Sequence, residues 1–163
     1  MTAAISPCGK YRYRLDRGPK NGGGWSRPVF IGVNPSTADA TQDDATIRKL
    51  KGFLQRWGMQ PTFTIINLFS YRATDVRELA TCEHPKGLDH DYYVNEAIND
   101  AGMLIPCWGD QTKLPLALRG EIDTMLRRVR NSEKPVYVFG RTKLGDPMHP
   151  LMLPYSTNMV PFK

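Results

Sequence analysis

Four short apolar runs constrain this chain more than any other feature: "PVFIGV" (28–33), "TFTIINLF" (62–69), "MLIPCWG" (103–109) and "KPVYVFG" (134–140). Each is separated from the next by a segment with helical patterning. In "QDDATIRKLKGFLQRWG", Ile47, Leu50, Leu54 and Trp57 recur at helical spacing; Asp43 or Asp44 can cap the start, and Gly58 supplies a stop. "SYRATDVRELA" reads as a polar loop leading to a short helical turn. "DHDYYVNEAINDAG" reads as a helix with Tyr93, Val94, Ala97 and Ile98 on one side, and "LPLALRGEIDTMLRRVRN" carries a stripe of Ile122, Met125, Leu126 and Val129. Strand alternating with helix predicts an α/β fold, a three-layer sandwich around a central four-stranded, mostly parallel sheet. The tail after residue 140 reads as loop.

Ahead of the first apolar run, "KYRYRLDR" alternates Tyr11, Tyr13 and Leu15 with Lys10, Arg12, Arg14 and Asp16. That period of two predicts a half-exposed N-terminal edge strand or hairpin, and the glycine-rich stretch 18–28 a flexible return loop. At 163 residues one domain is expected, long enough to bury roughly two-thirds of its unfolded surface. A content of 40% hydrophobic residues with 23% charged argues against disorder. No apolar run reaches the roughly 20 residues a membrane helix needs, and no secretory signal is recognisable, so a cytoplasmic protein without a membrane partner is expected. The formal charge of +6 favours polyanionic partners, which points to nucleic acid or a nucleotide. Cys8, Cys82 and Cys107 are too few and too far apart for a disulfide framework or a zinc pair. Phosphate-loop, dinucleotide and nucleophile-elbow signatures are absent from the sequence, and no cofactor or metal is expected.

In a mostly parallel sheet the loops at the carboxyl ends of the strands hold the ligand. Here those loops are "GVNPSTAD", "NLFSYRATD", "CWGDQTK" and "FGRTKLGDPMHP", the polar and Gly/Pro-punctuated parts of the chain. Asn34, biased toward extended geometry by Pro35, offers an amide donor and acceptor suited to a water or a base edge; a plain structural turn would use the same residues. Ser36, Thr37 and Asp39 can present hydroxyls and a helix start to an anion. Asn67, inside an apolar strand, needs partners from a neighbouring loop or from a ligand. Tyr71 can stack on a base and Arg72 can meet a phosphate, or both can be solvated loop. Trp108 can be core or a ligand platform. His149 closes the last strand's exit loop beside Arg141 and Lys143, and Leu151 and Met152, with Leu153, form an apolar tip that either packs inward or wedges into stacked bases.

On "YRYRL", "NPSTADATQDDATIRK", "INLFSYRATDVREL", "WGD" and "GRTKLGDPMHPLML", the chain resembles the uncharacterised family called domain of unknown function 1643. "GVNPS" is also similar to the first motif, Gly-x-Asn-Pro-Gly, of the mismatch-specific and single-strand-selective branches of the uracil-DNA glycosylase superfamily. "HPLML" is similar to that superfamily's His-Pro-Ser-Pro-Leu loop, and "INLF" falls where it has an Asn-bearing strand. Ser36 stands where the first motif has glycine, and Leu151 and Met152 where the second has Ser-Pro. This second resemblance implies a single uracil-DNA glycosylase-like domain acting, as a monomer, as a DNA glycosylase-like hydrolase on a damaged or modified base. It implies that Asn34 holds the attacking water and Asn67 reads the base edge. His149 would stabilise charge on the departing base while residues 151–153 probe the duplex. A nucleic-acid or nucleotide-binding module without catalysis, and a hydrolase or transferase on free modified nucleotides, are the alternatives.

Overall fold

A computed structural model describes residues 1–19, 27–36 and 38–162. The chain forms β1 (Thr2–Ile5), β2 (Arg12–Arg17), β3 (Pro28–Gly32), α1 (Ala45–Arg56), β4 (Phe63–Asn67), α2 (His90–Asp100), β5 (Met103–Pro106), α3 (Gly120–Asn131), β6 (Tyr137–Val138) and β7 (Val160–Pro161). Four 3-10 turns punctuate the loops, at Val76–Ala80, Gln111–Lys113, Leu116–Leu118 and Pro150–Met152.

The main sheet has five strands in the order β1-β2-β4-β3-β5, and only β4, β3 and β5 run parallel. Four mostly parallel strands were expected, and the missing one is β6. Cys107 N–H donates to Ile31 O, so alternate residues Leu104 and Pro106 turn their backbone toward the β6 side. Leu104 N–H bonds Pro135 O at 2.9 Å, but Pro106 has no N–H to continue the ladder. Contact shrinks to one parallel bridge, Leu104 with Val136, and β6 pairs antiparallel with β7 instead.

The expected N-terminal hairpin is present, but β2 is not an edge. It lies between β1 and β4 and is buried along nearly its whole length. Its register with β1 runs Ala4↔Arg14 and Ile5↔Arg12, which leaves Tyr13 as an extra residue, a β-bulge. The bulge breaks the sequence alternation. Tyr13 joins Arg14 on the α2 side, where it stacks on Tyr93 and Arg14 reaches Glu96 and Asp100. Arg12 moves to the opposite side with Leu15 and Arg17 and donates to Ala38 O. The glycines expected to form the return loop lie largely within residues 20–26, outside the described residues.

Three layers result. Phe30, Ile65 and Ile105 pack on α1 through Ile47, Leu50, Phe53 and Leu54, while Val29, Ile31, Ile66 and Leu104 pack on α2 and α3 through Val94, Ile98, Ile122, Met125 and Val129. Asp44, rather than Asp43, caps α1, accepting from Ile47 N–H at 2.8 Å, and Gly58 follows its end with φ +69°. Because β3 leads through α1 on one face to β4, and α2 crosses the other face to bring β5 to the opposite side of β3, the carboxyl ends of β3 and β5 form a topological switch point. Open α/β sheets have their crevice there. No helix among the described residues is long and apolar enough to cross a membrane.

Candidate functional site

A cavity of about 250 Å³ opens at that switch point. The exit of β3 contributes Gly32, Asn34 and Ser36, the end of β4 contributes Asn67, the exit of β5 contributes Trp108, Asp110 and Lys113, and the loop after β6 contributes His149. Four strand-end segments distant in sequence therefore meet at one wall. Arg12 from β2 and Asp44 from the α1 cap complete it.

The Asn34 amide nitrogen donates to Ala73 O at 2.6 Å and Pro35 O at 3.1 Å. Both partners are carbonyl oxygens, which fixes the amide orientation and leaves Oδ1 without a partner among the described residues. Asn67 is 6% exposed, and its carboxamide makes no hydrogen bond among the described residues. No neighbouring loop among the described residues satisfies it; it faces the cavity. Gly32 allows this, since a Cβ there would lie 2.7 Å from Asn67 Oδ1. Trp108 is both core and wall: it packs with the α2/α3 cluster, and its Nε1 is buried without a partner among the described residues.

His149 is held by two devices. Asp146 accepts from Gln111 N–H at 3.0 Å and from Gln111 Nε2 at 3.2 Å, tying the β5 and β6 exit loops together. Gly109 (φ +82°) donates to Pro147 O and brings its Cα so near that a Cβ would lie 3.2 Å from His149 Cβ. On the outer side, Tyr155 lies on Gly52 of α1, where no side chain fits beneath it. His149 Nδ1 accepts from Leu151 N–H at 3.3 Å, which selects the tautomer carrying a proton on Nε2. The residue is solvent-exposed, and its pKa is lowered, first by desolvation and then by Lys113, with Asp44 opposing. With Nδ1 accepting, Nε2–H is the ring's donor.

Arg12 is 3% exposed, and desolvation lowers its pKa to about 10 against the opposing pull of Asp44; it stays charged. Asp110 is committed to Thr112, through both the hydroxyl and the N–H, which lower its pKa. Asp44 uses one oxygen to cap α1, and the second has no partner among the described residues. Arg12, Asp44 and Asp146 were not singled out in the sequence. Arg12 was concealed by the bulge, and the carboxylate of Asp44 read only as a cap.

Other expected site residues lie elsewhere. Pro35 is buried, and its carbonyl accepts from Asn34 and from Ala73 N–H. Asp39 turns onto its own loop: the N–H groups of Thr41 and Gln42 and the Thr41 hydroxyl hold its pKa at about 2, with Arg72 adding attraction. Tyr71 and Arg72 line a separate shelf that shares Ser36 with the cavity. Lys143 is exposed and does not line the cavity. Leu151 and Met152 project beside His149, with Met152 89% exposed, whereas Leu153 packs against the α1-side core. Thr37 lies outside the described residues. Cys107, on the wall, is buried, and its thiol is pushed up to about 12. No group of three or more His, Cys, Asp or Glu among the described residues is arranged to hold a metal ion.

The family model described as "Protein of unknown function (DUF1643)" matches residues 12–151, so the chain belongs to that family. No curated protein and no solved structure matches it.

Proposed function

Because membership of DUF1643 assigns no reaction, we propose from the site itself that this protein hydrolyses the N-glycosidic bond of a damaged or modified nucleobase in DNA. What carries the proposal is one observation: Asn34, Asn67, Trp108 and His149 line a single cavity. At about 250 Å³ it is smaller than the roughly 300–1,000 Å³ typical of drug-sized sites, the size class of one planar ring system.

The chemistry follows from the available groups. Asn67 offers a donor and an acceptor to the edge of an unstacked base, and Trp108 supplies an apolar wall. Water held by Asn34 Oδ1 attacks the anomeric carbon. An amide cannot accept the proton released, so it passes to the unpartnered oxygen of Asp44. The electron pair of the breaking C–N bond goes to the base, whose developing charge meets the Nε2–H of His149. Positive charge building on the sugar is tolerated beside the Asp44 carboxylate. Exposed Leu151 and Met152 stand where a wedge against stacked bases would act. The +6 charge suits a nucleic-acid partner, and the protein acts as a cytoplasmic monomer.

A hydrolase or transferase acting on free modified nucleotides is the second reading, favoured by Lys113 on the cavity wall, where a phosphate would be met. The test is a panel of oligonucleotides carrying deaminated, oxidised or enlarged bases, scored for abasic sites. Wild type releases at least one base. Asn34→Ala and His149→Ala each reduce that release by about 10²-fold or more. Full activity in both variants would remove the proposed roles, and tight binding with no release would leave a binding module.

A further inference from the structure

Beside the base-sized cavity lies a second hollow of about 270 Å³, lined by Gly9, Lys10, Ser36, Tyr71, Arg72 and Thr74. The two hollows share Ser36, Ala73 and Thr74 and therefore adjoin. Backbone pairing sets its two cations side by side. Tyr11 and Tyr71 form an antiparallel bridge, and Arg72 N–H donates to Lys10 O at 2.9 Å.

Several cations have carboxylate partners, Arg14 with Asp16 and Glu96, Arg17 and Lys51 with Asp43, Arg77 with Asp75, Lys86 with Glu121 and Arg128 with Asp91, whereas others, Arg12 and Lys113 among them, form no ion pair among the described residues. Lys10 and Arg72 form no ion pair among the described residues. Among the described residues, the one hydrogen bond of the Arg72 guanidinium is a 3.4 Å contact to Gly9 O. Two cations without ion pairs among the described residues, held on neighbouring segments by main-chain bonds, with Tyr71 on the same lining, match the needs of a phosphate and its sugar.

We propose that this shelf is a phosphate subsite, taking the phosphate attached to the nucleoside whose base enters the adjoining cavity. The inference rests on the nucleobase reading of that cavity. The phosphate is that of a free nucleotide or of a strand, and the surroundings limit how far a strand runs. Beyond Tyr11 the next hollow carries Glu83 and Asp89 beside the Lys86–Glu121 ion pair, and this net negative charge repels a continuing backbone. The shelf therefore holds one phosphate and not a long track.

Inorganic phosphate titrated into 15N-labelled protein is the direct probe, because it requires no knowledge of the base. Shifts are expected to cluster at residues 9–10 and 71–74 and to vanish in Lys10→Ala/Arg72→Ala. Shifts that arise elsewhere, or that persist in the double variant, overturn the proposal. Binding of a labelled single-stranded oligothymidylate across a salt series identifies the source. A strand phosphate lowers the slope of log affinity against log salt by about 0.7 for each lost contact. An unchanged slope, with thymidine 5′-monophosphate outcompeting thymidine only in wild type, assigns the subsite to a free nucleotide. Loss of the phosphate shifts in a protein that still releases bases refutes the shelf alone, and their presence in a protein that releases none refutes the glycosylase reading alone.

Discussion

On the β2 side of the sheet, Arg17 is completely buried, and every arm of its guanidinium is engaged: Nε with Asp43 at 2.7 Å, Nη1 with Asp16 O, and Nη2 with Asp39 O and Gln42 O. Nearby, Thr64 donates to Asp16 Oδ1 at 2.6 Å. At the carboxyl ends of β3 and β4, Asn67 is almost as buried, yet its carboxamide has no partner among the described residues, and Trp108 Nε1 has none either. Buried polar groups are normally satisfied, and an unpaired one costs about 1–3 kcal/mol, which Trp108 Nε1 bears here and Arg27 Nε beside the β2 network; the Asn67 carboxamide instead opens onto the cavity. The first region thus uses polarity to pin the 39–43 loop onto the sheet. The second keeps unmet hydrogen-bonding capacity facing a cavity, as a site that receives a polar ligand does.

Removing Arg17 is the strongest way to break this contrast. Arg17→Met leaves Asp43 with Lys51 alone and strips two loop carbonyls of their donor, and is expected to cost about 3 kcal/mol or more, read from the denaturant midpoint. A loss below about 1 kcal/mol would mean that the network adds little to stability.

His90 sharpens it on the α2 side. The ring is 4% exposed, shares a 2.7 Å hydrogen bond with Ser70, and its pKa is lowered to about 4 by burial. Below the ordinary value of 6.5 the unfolded chain binds a proton that the folded chain refuses, so stability falls as pH drops from about 6.5 to about 4. The full swing is about 3 kcal/mol. Unfolding at pH 6.5 and 4.5 measures it, and His90→Gln should flatten the slope; an equal slope in the variant would assign the pH dependence to other groups.

The smallest stability effects belong to the cavity. Asn67→Ala is expected to change stability by less than about 1 kcal/mol while abolishing base release, because the carboxamide has no protein partner to lose. Gly32→Ala drives a methyl against Asn67 Oδ1 and should cost about 1–3 kcal/mol, much of it recovered in the Asn67→Ala background. Strictly additive costs would place the strain in the β3 backbone.

Much of this was legible beforehand. The stripes of α1, α2 and α3 were visible because a helix carries its core face in its own spacing, and Asp44 and Gly58 are local caps. The convergence of Asn34, Asn67, Trp108 and His149 followed from one rule about parallel sheets. Arg12 was read as part of a half-exposed strand and lines the cavity, whereas Lys143, expected among the binding residues, is exposed and off the cavity wall. Proline at 106 was in plain view, but which neighbour its missing N–H faces depends on strand pairing.

Residue order alone determined the alternation of elements, the apolar faces of the helices and the polar character of the strand ends, since each is set by side chains within a few turns of one another. The tertiary structure decided the bulge at Tyr13 that sends Arg12 to the cavity, the retreat of β6 toward β7, and which buried polar groups were paired. These depend on contacts between residues far apart in the chain. A hydrogen bond across the sheet answers to the geometry of both partners, and neither partner's local sequence encodes it.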